Sequence, residues 1–135
     1  MSLRKQAKNA KLCLVHSFKQ KELFLSKVQI LGEFMGEYKE CSQFDKRTNK
    51  TYIQYRGDSK SHPEFTEIYN ILYKDGVKTI TQEYLDLIND PIALAYWFMD
   101  DGTSRGTFAT NCFSEPEIDL LISWLSSKWN IIATK

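Results

Sequence analysis

Two adjacent carboxylates, Asp100 and Asp101, close an apolar stretch that runs from Pro91 to Met99 and is followed by Gly102. Asp90-Pro91 is a helix start, a capping side chain followed by proline at the first helical position. The pattern therefore predicts a helix over 91–101, apolar nearly all round until its last two residues, which would be buried on every side. Ending it in two negative charges is unfavourable. A helix C-terminus carries about half a negative charge, which disfavours each carboxylate by up to about 1 kcal/mol. Mutual repulsion adds to that, and burial costs several kcal/mol more. A divalent cation would remove all three penalties. Mg²⁺ takes oxygen ligands, commonly one or two carboxylates with water and substrate phosphate, and phosphodiester hydrolysis uses such an ion to activate water and steady the departing oxygen. The alternative is a solvated turn, since Asp-Gly commonly follows a helix and perturbed carboxylates also occur at structural sites. Spacing alone leaves both readings open.

A second set of residues suits nucleic acid. Tyr52, Gln54 and Arg56 share one face of an expected strand over 51–57, with Ile53 and Tyr55 on the other; Arg4 and Gln6 alternate in the same manner near the start. Arg and Gln read guanine and adenine edges. Lys46, Arg47 and Lys50, in an expected turn, suit phosphate contacts, which position without specifying. A polar strand face is also often simply wet. The charge distribution bears on this choice. Residues 1–60 hold 13 Lys/Arg against 6 Asp/Glu, about +7, and residues 61–135 hold 5 against 11, about −6, within a net charge of +1. A basic first half could meet phosphates while an acidic second half holds a metal; equally, the halves could neutralise each other in the fold.

The elements that must position these residues follow from periodicity. Leu3–Gln6 and Lys11–His16 read as strands joined by a turn. Phe24, Val28, Leu31 and Met35 mark one face of a helix that Gly36 should end. Tyr38–Asp45 and Thr51–Gly57 read as a hairpin. Ser61 and Glu64 form an expected capping box around Pro63, opening a helix with Phe65, Ile68, Tyr69 and Leu72 inward, which Asp75-Gly76 should close. A shorter helix follows Thr81, with Tyr84, Leu85 and Ile88 buried. Beyond the acidic pair, Thr103–Phe113 reads as a strand bent at Gly106. A second capping box, Ser114 with Glu117, then opens a helix packed through Ile118, Leu121, Ile122 and Leu125. The fold class is α+β, a mixed α/β layered domain with an antiparallel sheet.

The length suits one domain with a real core, and an ordinary apolar and charged content argues against disorder. No apolar run approaches the roughly 20 residues of a membrane span. Met1-Ser2-Leu3-Arg4-Lys5 lacks the apolar stretch of a secretory signal. The expectation is an intracellular, non-secreted protein. Cys13, Cys41 and Cys112 are far apart, lack metal-ligand spacing, and are expected to be reduced thiols.

Leu94-Ala95-Tyr96-Trp97-Phe98-Met99-Asp100-Asp101-Gly102 resembles the nine-residue motif of the LAGLIDADG homing endonucleases. Val77-Lys78-Thr79-Ile80-Thr81, Glu83-Tyr84-Leu85, Asn111-Cys112-Phe113-Ser114 and Glu117-Ile118-Asp119-Leu120-Leu121 are also similar to that family. The resemblance implies a twisted antiparallel sheet packed on helices and lying in the DNA major groove. It implies paired motif helices meeting through residues such as Leu94, Ala95, Trp97 and Phe98. It also implies Asp101 as the metal-facing carboxylate, with Asp100 beside it and Lys78 as a basic residue near the site. The implied cofactor is Mg²⁺, the implied partner double-stranded DNA, and the implied setting the cytoplasm or organelle of a host intron or intein. The chain reads as a single LAGLIDADG-like domain in which residues 1–89 resemble the later part of a first repeat and 90–135 the start of a second. A second half, a partner chain or another copy is then expected to complete the motif-helix interface. The competing expectations are a maturase-like module that binds DNA or RNA without cutting, and an inactive remnant.

Overall fold

Apolar residues at every second position of the early strands turn one sheet face toward a helix and leave the other polar. The computed structural model describes residues 2–6 and 8–135, without the side chains of Lys5 and Gln6, so the expected DNA-facing side chain of Gln6 lies outside the described residues. The chain forms two compact units, Met1–Tyr69 and Asn70–Lys135.

The first unit holds a four-stranded antiparallel sheet in the order β1-β2-β4-β3, built from β1 (Ser2–Gln6), β2 (Asn9–Ser17), β3 (Met35–Asp45) and β4 (Lys50–Ser59). Helix α1 (Lys21–Leu31) carries Phe24, which has no exposed surface, into a cluster with Leu14 and Tyr55 and with partly buried Leu12, Val28, Leu31 and Met35. Burying a side chain of that size contributes about 1.5–3 kcal/mol. The same face buries Lys27 against His16, with Nζ 3.1 Å from Nε2. Because an ammonium only donates, the imidazole nitrogen is the acceptor. The expected helix over 22–35 ends early. Gly32 stops it at φ +50, a left-handed position that glycine adopts without a Cβ penalty, and Met35 already begins β3. Gly36 is not a helix stop. It lies where the β3–β4 register shifts, and a Cβ there would meet the Asp58 carbonyl oxygen at 2.7 Å.

Helix α2 (Pro63–Leu72) crosses the boundary between the units. His62, rather than Ser61, immediately precedes it, and its Nδ1 accepts from the Glu64 N–H at 3.4 Å. The helix ends at Leu72 instead of at Asp75-Gly76, because those two residues are the turn of a small hairpin, β5 (Tyr73–Lys74) with β6 (Val77–Lys78). In the second unit α3 (Gln82–Asp86) is capped by Thr81, whose hydroxyl accepts from the Tyr84 N–H at 3.2 Å. Helix α4 (Pro91–Asp101) is capped by Asp90, which accepts from the Ile92 N–H at 2.8 Å. Helix α5 (Glu115–Trp129) starts behind Ser114. The core is Ile80, Leu85, Ile88, Leu94, Leu121, Trp124 and Leu125. The expected strand over 103–113 does not form. Its backbone turns back through Gly106 at φ +77 and makes one isolated bridge, Gly102 with Phe108. None of the described helices is long and apolar enough to cross a membrane, and the three cysteines are free.

Candidate nucleic-acid interface and acidic helix end

Cross-strand partners in an antiparallel sheet place their side chains on the same face. Arg56 stands opposite Val15 of β2 and Lys39 of β3, and Arg4 stands opposite Lys11. The face away from α1 therefore carries Arg4, Lys11, Lys39 and Arg56 together, with Gln54 opposite Cys41 and Tyr52 opposite Gln43. A groove of about 350 Å³ on this face is lined by Arg4, Val15, Lys39, Arg56 and Asp58 among others. Asp58 Oδ2 accepts from Lys11 Nζ at 2.8 Å. That hydrogen bond first, outweighing the cost of burial, holds the Asp58 carboxyl below its ordinary range. Burial, with the Asp58 carboxylate beside it, pushes the Cys13 thiol up, which makes it a packing group instead of a nucleophile.

Of the residues expected to read bases, Arg4, Tyr52, Gln54 and Arg56 thus share this face; sequence reading missed Lys11, Lys39 and Gln43. Strand alternation on β2 and β3 contained that signal, but only the register shows which alternate set meets Arg56. Gln54 donates to the Gln43 amide oxygen at 2.7 Å, so two amides are held side by side. Lys46 and Arg47 lie in the β3–β4 turn, where Asn49 has φ 51 and Asp45 accepts from the Arg47 N–H at 2.8 Å. Lys50 is the first residue of β4, opposite Asp45.

In the second unit the acidic end of α4 is half-buried at both Asp100 and Asp101. Asp101 Oδ2 accepts from the Trp97 indole N–H at 3.1 Å, one helical turn earlier. A hydrogen bond to a charged group contributes roughly 1.5–3 kcal/mol, enough to offset the helix-end penalty on this carboxylate. The chain is also anchored here, since the Asp101 carbonyl accepts from the Ala109 N–H at 2.7 Å. Gly102 is required by close approach: a Cβ would run into the Phe98 carbonyl oxygen and ring. Burial, with the Asp101 charge next, pushes the Tyr84 phenol up to about 12.

Lys78 ends β6 half-buried, its ammonium 5.9 Å from the centre of the Phe113 ring. The segment that follows its strand is tied to the start of α5 by Glu117, whose Oε1 accepts from the Ile80 N–H at 2.7 Å while Oε2 accepts from the Ser114 N–H at 2.8 Å and hydroxyl at 2.6 Å. Burial raises the Glu117 carboxyl, but those donors outweigh it and hold it below its usual value.

The motif helix is not buried on every side. Leu94 belongs to the unit's own core and Trp97 packs against it, whereas Ala95 is exposed and Phe98 half-buried. Ile92 and Met99, 60% and 46% exposed, continue the open stripe at helical spacing.

The sequence profile of the LAGLIDADG DNA endonuclease family matches residues 1–134. The chain belongs to that family. It is 41% identical over 94 residues to the cytochrome b mRNA maturase bI2 of Saccharomyces cerevisiae, covering 63% of this chain and 22% of that protein. It is 32% identical over 88 residues to the intron-encoded endonuclease ai4 of Dictyostelium discoideum, covering 63% and 55%. The chain thus spans between about a fifth and just over half of these relatives. The solved structure of the homing endonuclease I-WcaI bound to its DNA recognition sequence has the same fold, with a TM-score of 0.81, 20% identity, and 98% of this chain covering 63% of that one. The expected fold class, an antiparallel sheet with helices in a LAGLIDADG arrangement, is therefore correct.

The family implies a divalent cation. Among the described residues no group of three or more His, Cys, Asp or Glu side chains could enclose a metal. Asp101, with Asp100 beside it, fits one side of a Mg²⁺ site of the kind completed by water and substrate phosphate, which needs only one or two carboxylates.

Proposed function

We propose that this chain is the DNA-reading and acid-bearing part of a homing-type endonuclease that hydrolyses phosphodiester bonds in duplex DNA with Mg²⁺. The observation that carries this reading is the end of α4, where Asp101 is half-buried at an apolar helix terminus and held in one orientation by Trp97. When bound, Mg²⁺ supplies the charge that activates a water and steadies the departing oxygen. Asp101 offers that ion an oxygen, and Asp100 adds negative charge beside it. The Lys78 ammonium, 5.9 Å from the Phe113 ring centre, stabilises charge on the phosphate or orients the attacking water. The polar sheet face, with Arg4, Tyr52, Gln54 and Arg56, meets base edges in the major groove, and Lys46, Arg47 and Lys50 meet the backbone.

On this reading residues 1–89 correspond to the later part of one repeat and 90–135 to the start of the next. The open stripe Ile92–Ala95–Met99 with Phe98 is covered by a second motif helix, from a further half or another copy; Leu94 and Trp97 back it from inside. The protein works wherever its host intron or intein resides. Incubation with a library of DNA duplexes, with and without Mg²⁺, tests the assignment: duplexes retained at low salt and cut only with Mg²⁺ support it, and no retained duplex contradicts it.

The likeness to the bI2 maturase favours a second reading, in which the same sheet grips folded intron RNA or DNA without cutting. Retention of a structured intron RNA in preference to every duplex, with no cleavage of either, would select it.

A further inference from the structure

Trp97 stands in the middle of the motif stretch, where an apolar residue is expected to do nothing except pack. Its ring does pack, at 6.1 Å and 80° from Tyr84 and at 5.3 Å from Phe108. Its N–H does something more specific. It is aimed along the helix at Asp101 Oδ2, 3.1 Å away, while the other two indoles, Trp124 and Trp129, bury their N–H groups with no acceptor among the described residues. An aspartate in the last turn of a helix ordinarily samples several side-chain rotamers. Here the donor ring contacts two other aromatic rings, which restrict its rotamers and so favour one orientation of the carboxylate it donates to.

We propose that Trp97 is a positioning residue for the Asp101 carboxylate: its indole N–H occupies Oδ2 and presents Oδ1 to a divalent cation. This rests on the reading of Asp101 as a metal ligand given above. The physical logic is that of hydrogen-bonded partners behind metal-bound side chains, which fix orientation before the ion arrives; removing such a partner costs on the order of tenfold or more in metal affinity. The i, i+4 spacing of Trp97 and Asp101 is the sequence signal for the pair.

The test uses Mn²⁺ as a paramagnetic probe on the whole isotope-labelled chain. In the wild-type protein, Mn²⁺ should broaden the backbone amides of Asp101 and Gly102 and the Trp97 indole signal at concentrations that leave the Trp124 and Trp129 indoles sharp. Asp101→Asn should abolish that broadening. Trp97→Phe keeps an aromatic ring but has no N–H donor, and should need on the order of tenfold more Mn²⁺ for the same broadening of the Asp101 and Gly102 amides. Tyr84→Phe, which leaves the indole in place, should need no more than wild type.

Wild-type protein showing no selective broadening at Asp101 would remove the metal-ligand reading itself. Selective broadening in wild type that Trp97→Phe leaves unchanged or strengthens would overturn the positioning role alone. A second measurement serves if Trp97→Phe does not fold. Asp101→Ala, which removes the acceptor, should shift the Trp97 indole signal and speed its proton exchange, with the other two indoles unmoved; an unaffected Trp97 signal would also overturn the proposal.

Discussion

The two units of this chain carry chemistry in opposite ways. The first, residues 1–69, holds 13 basic and 8 acidic residues, about +5, and spreads its polar groups across a sheet face of four strands. The second, residues 70–135, holds 5 and 9, about −4, and concentrates its distinctive chemistry at the last turn of one helix. A surface built from many exposed side chains loses affinity by degrees when any one is removed. A carboxylate at a helix terminus depends on the few groups that hold it, here Trp97 and the aromatic rings around that indole. The first arrangement suits recognition and the second suits a reaction.

The two units have separate cores. Leu14→Ala and Leu85→Ala remove side chains with no exposed surface from different units, and each should cost about 2–5 kcal/mol. Denaturant unfolding followed by hydrogen exchange should show the largest loss of protection within the mutated unit; equal loss in both units for both variants would mean that they are one cooperative body.

The units should also differ in their pH limits. Tyr84 has its phenol raised from 10.0 to about 12, so the folded state holds that proton more tightly than the unfolded state does. Its contribution is complete below pH 10 and is lost as pH rises toward 12, at most about 2–3 kcal/mol. Tyr84→Phe should flatten the fall in melting temperature across that window, and an unchanged slope would refute the assignment.

A sharper contrast lies within the first unit. Arg56→Gln should weaken binding by about 1–3 kcal/mol for duplexes carrying the preferred base at one position and little for others. Lys46→Ala and Arg47→Ala should weaken all duplexes alike and lower the salt dependence of binding by about one counterion each. Competition binding at several salt concentrations separates the two patterns, and a sequence-independent effect of Arg56→Gln would place it among the phosphate contacts.

The smallest effect is expected at Asp58, whose carboxyl lies below the usual 3.8 because Lys11 donates to it. That contribution is present above about pH 4 and lost as pH falls through the lowered value. Being partly exposed and screened, it should appear only as a slight reduction in the acid sensitivity of Asp58→Asn.

Much of this organisation was legible in the sequence because alternation and helical spacing are local. β1 to β4 and the starts of α3, α4 and α5 lie where periodicity and capping residues place them. Three boundaries went elsewhere. Gly32 rather than Gly36 stops α1; Asp75-Gly76 turns a hairpin after α2 has ended; residues 103–113 form a loop in place of a strand. The first depends on which of two nearby glycines the chain uses, and the other two on whether a segment finds a strand partner, which no local pattern decides. The candidate site was legible as residue types. Its geometry was not, because the pairing of Arg56 with Lys39 is set by strand register and the Trp97–Asp101 bond by rotamers locked through packing.

The proposed division between recognition by the sheet and reaction at Asp101 is tested by Asp101→Asn, assayed for duplex binding and for Mg²⁺-dependent cleavage against the wild-type chain supplied with the proposed second half. Binding should stay within about twofold of wild type, because the sheet is untouched, and cleavage should fall on the order of a hundredfold or more, because the proposed ion loses a charged ligand. Cleavage retained at the wild-type rate would contradict that division.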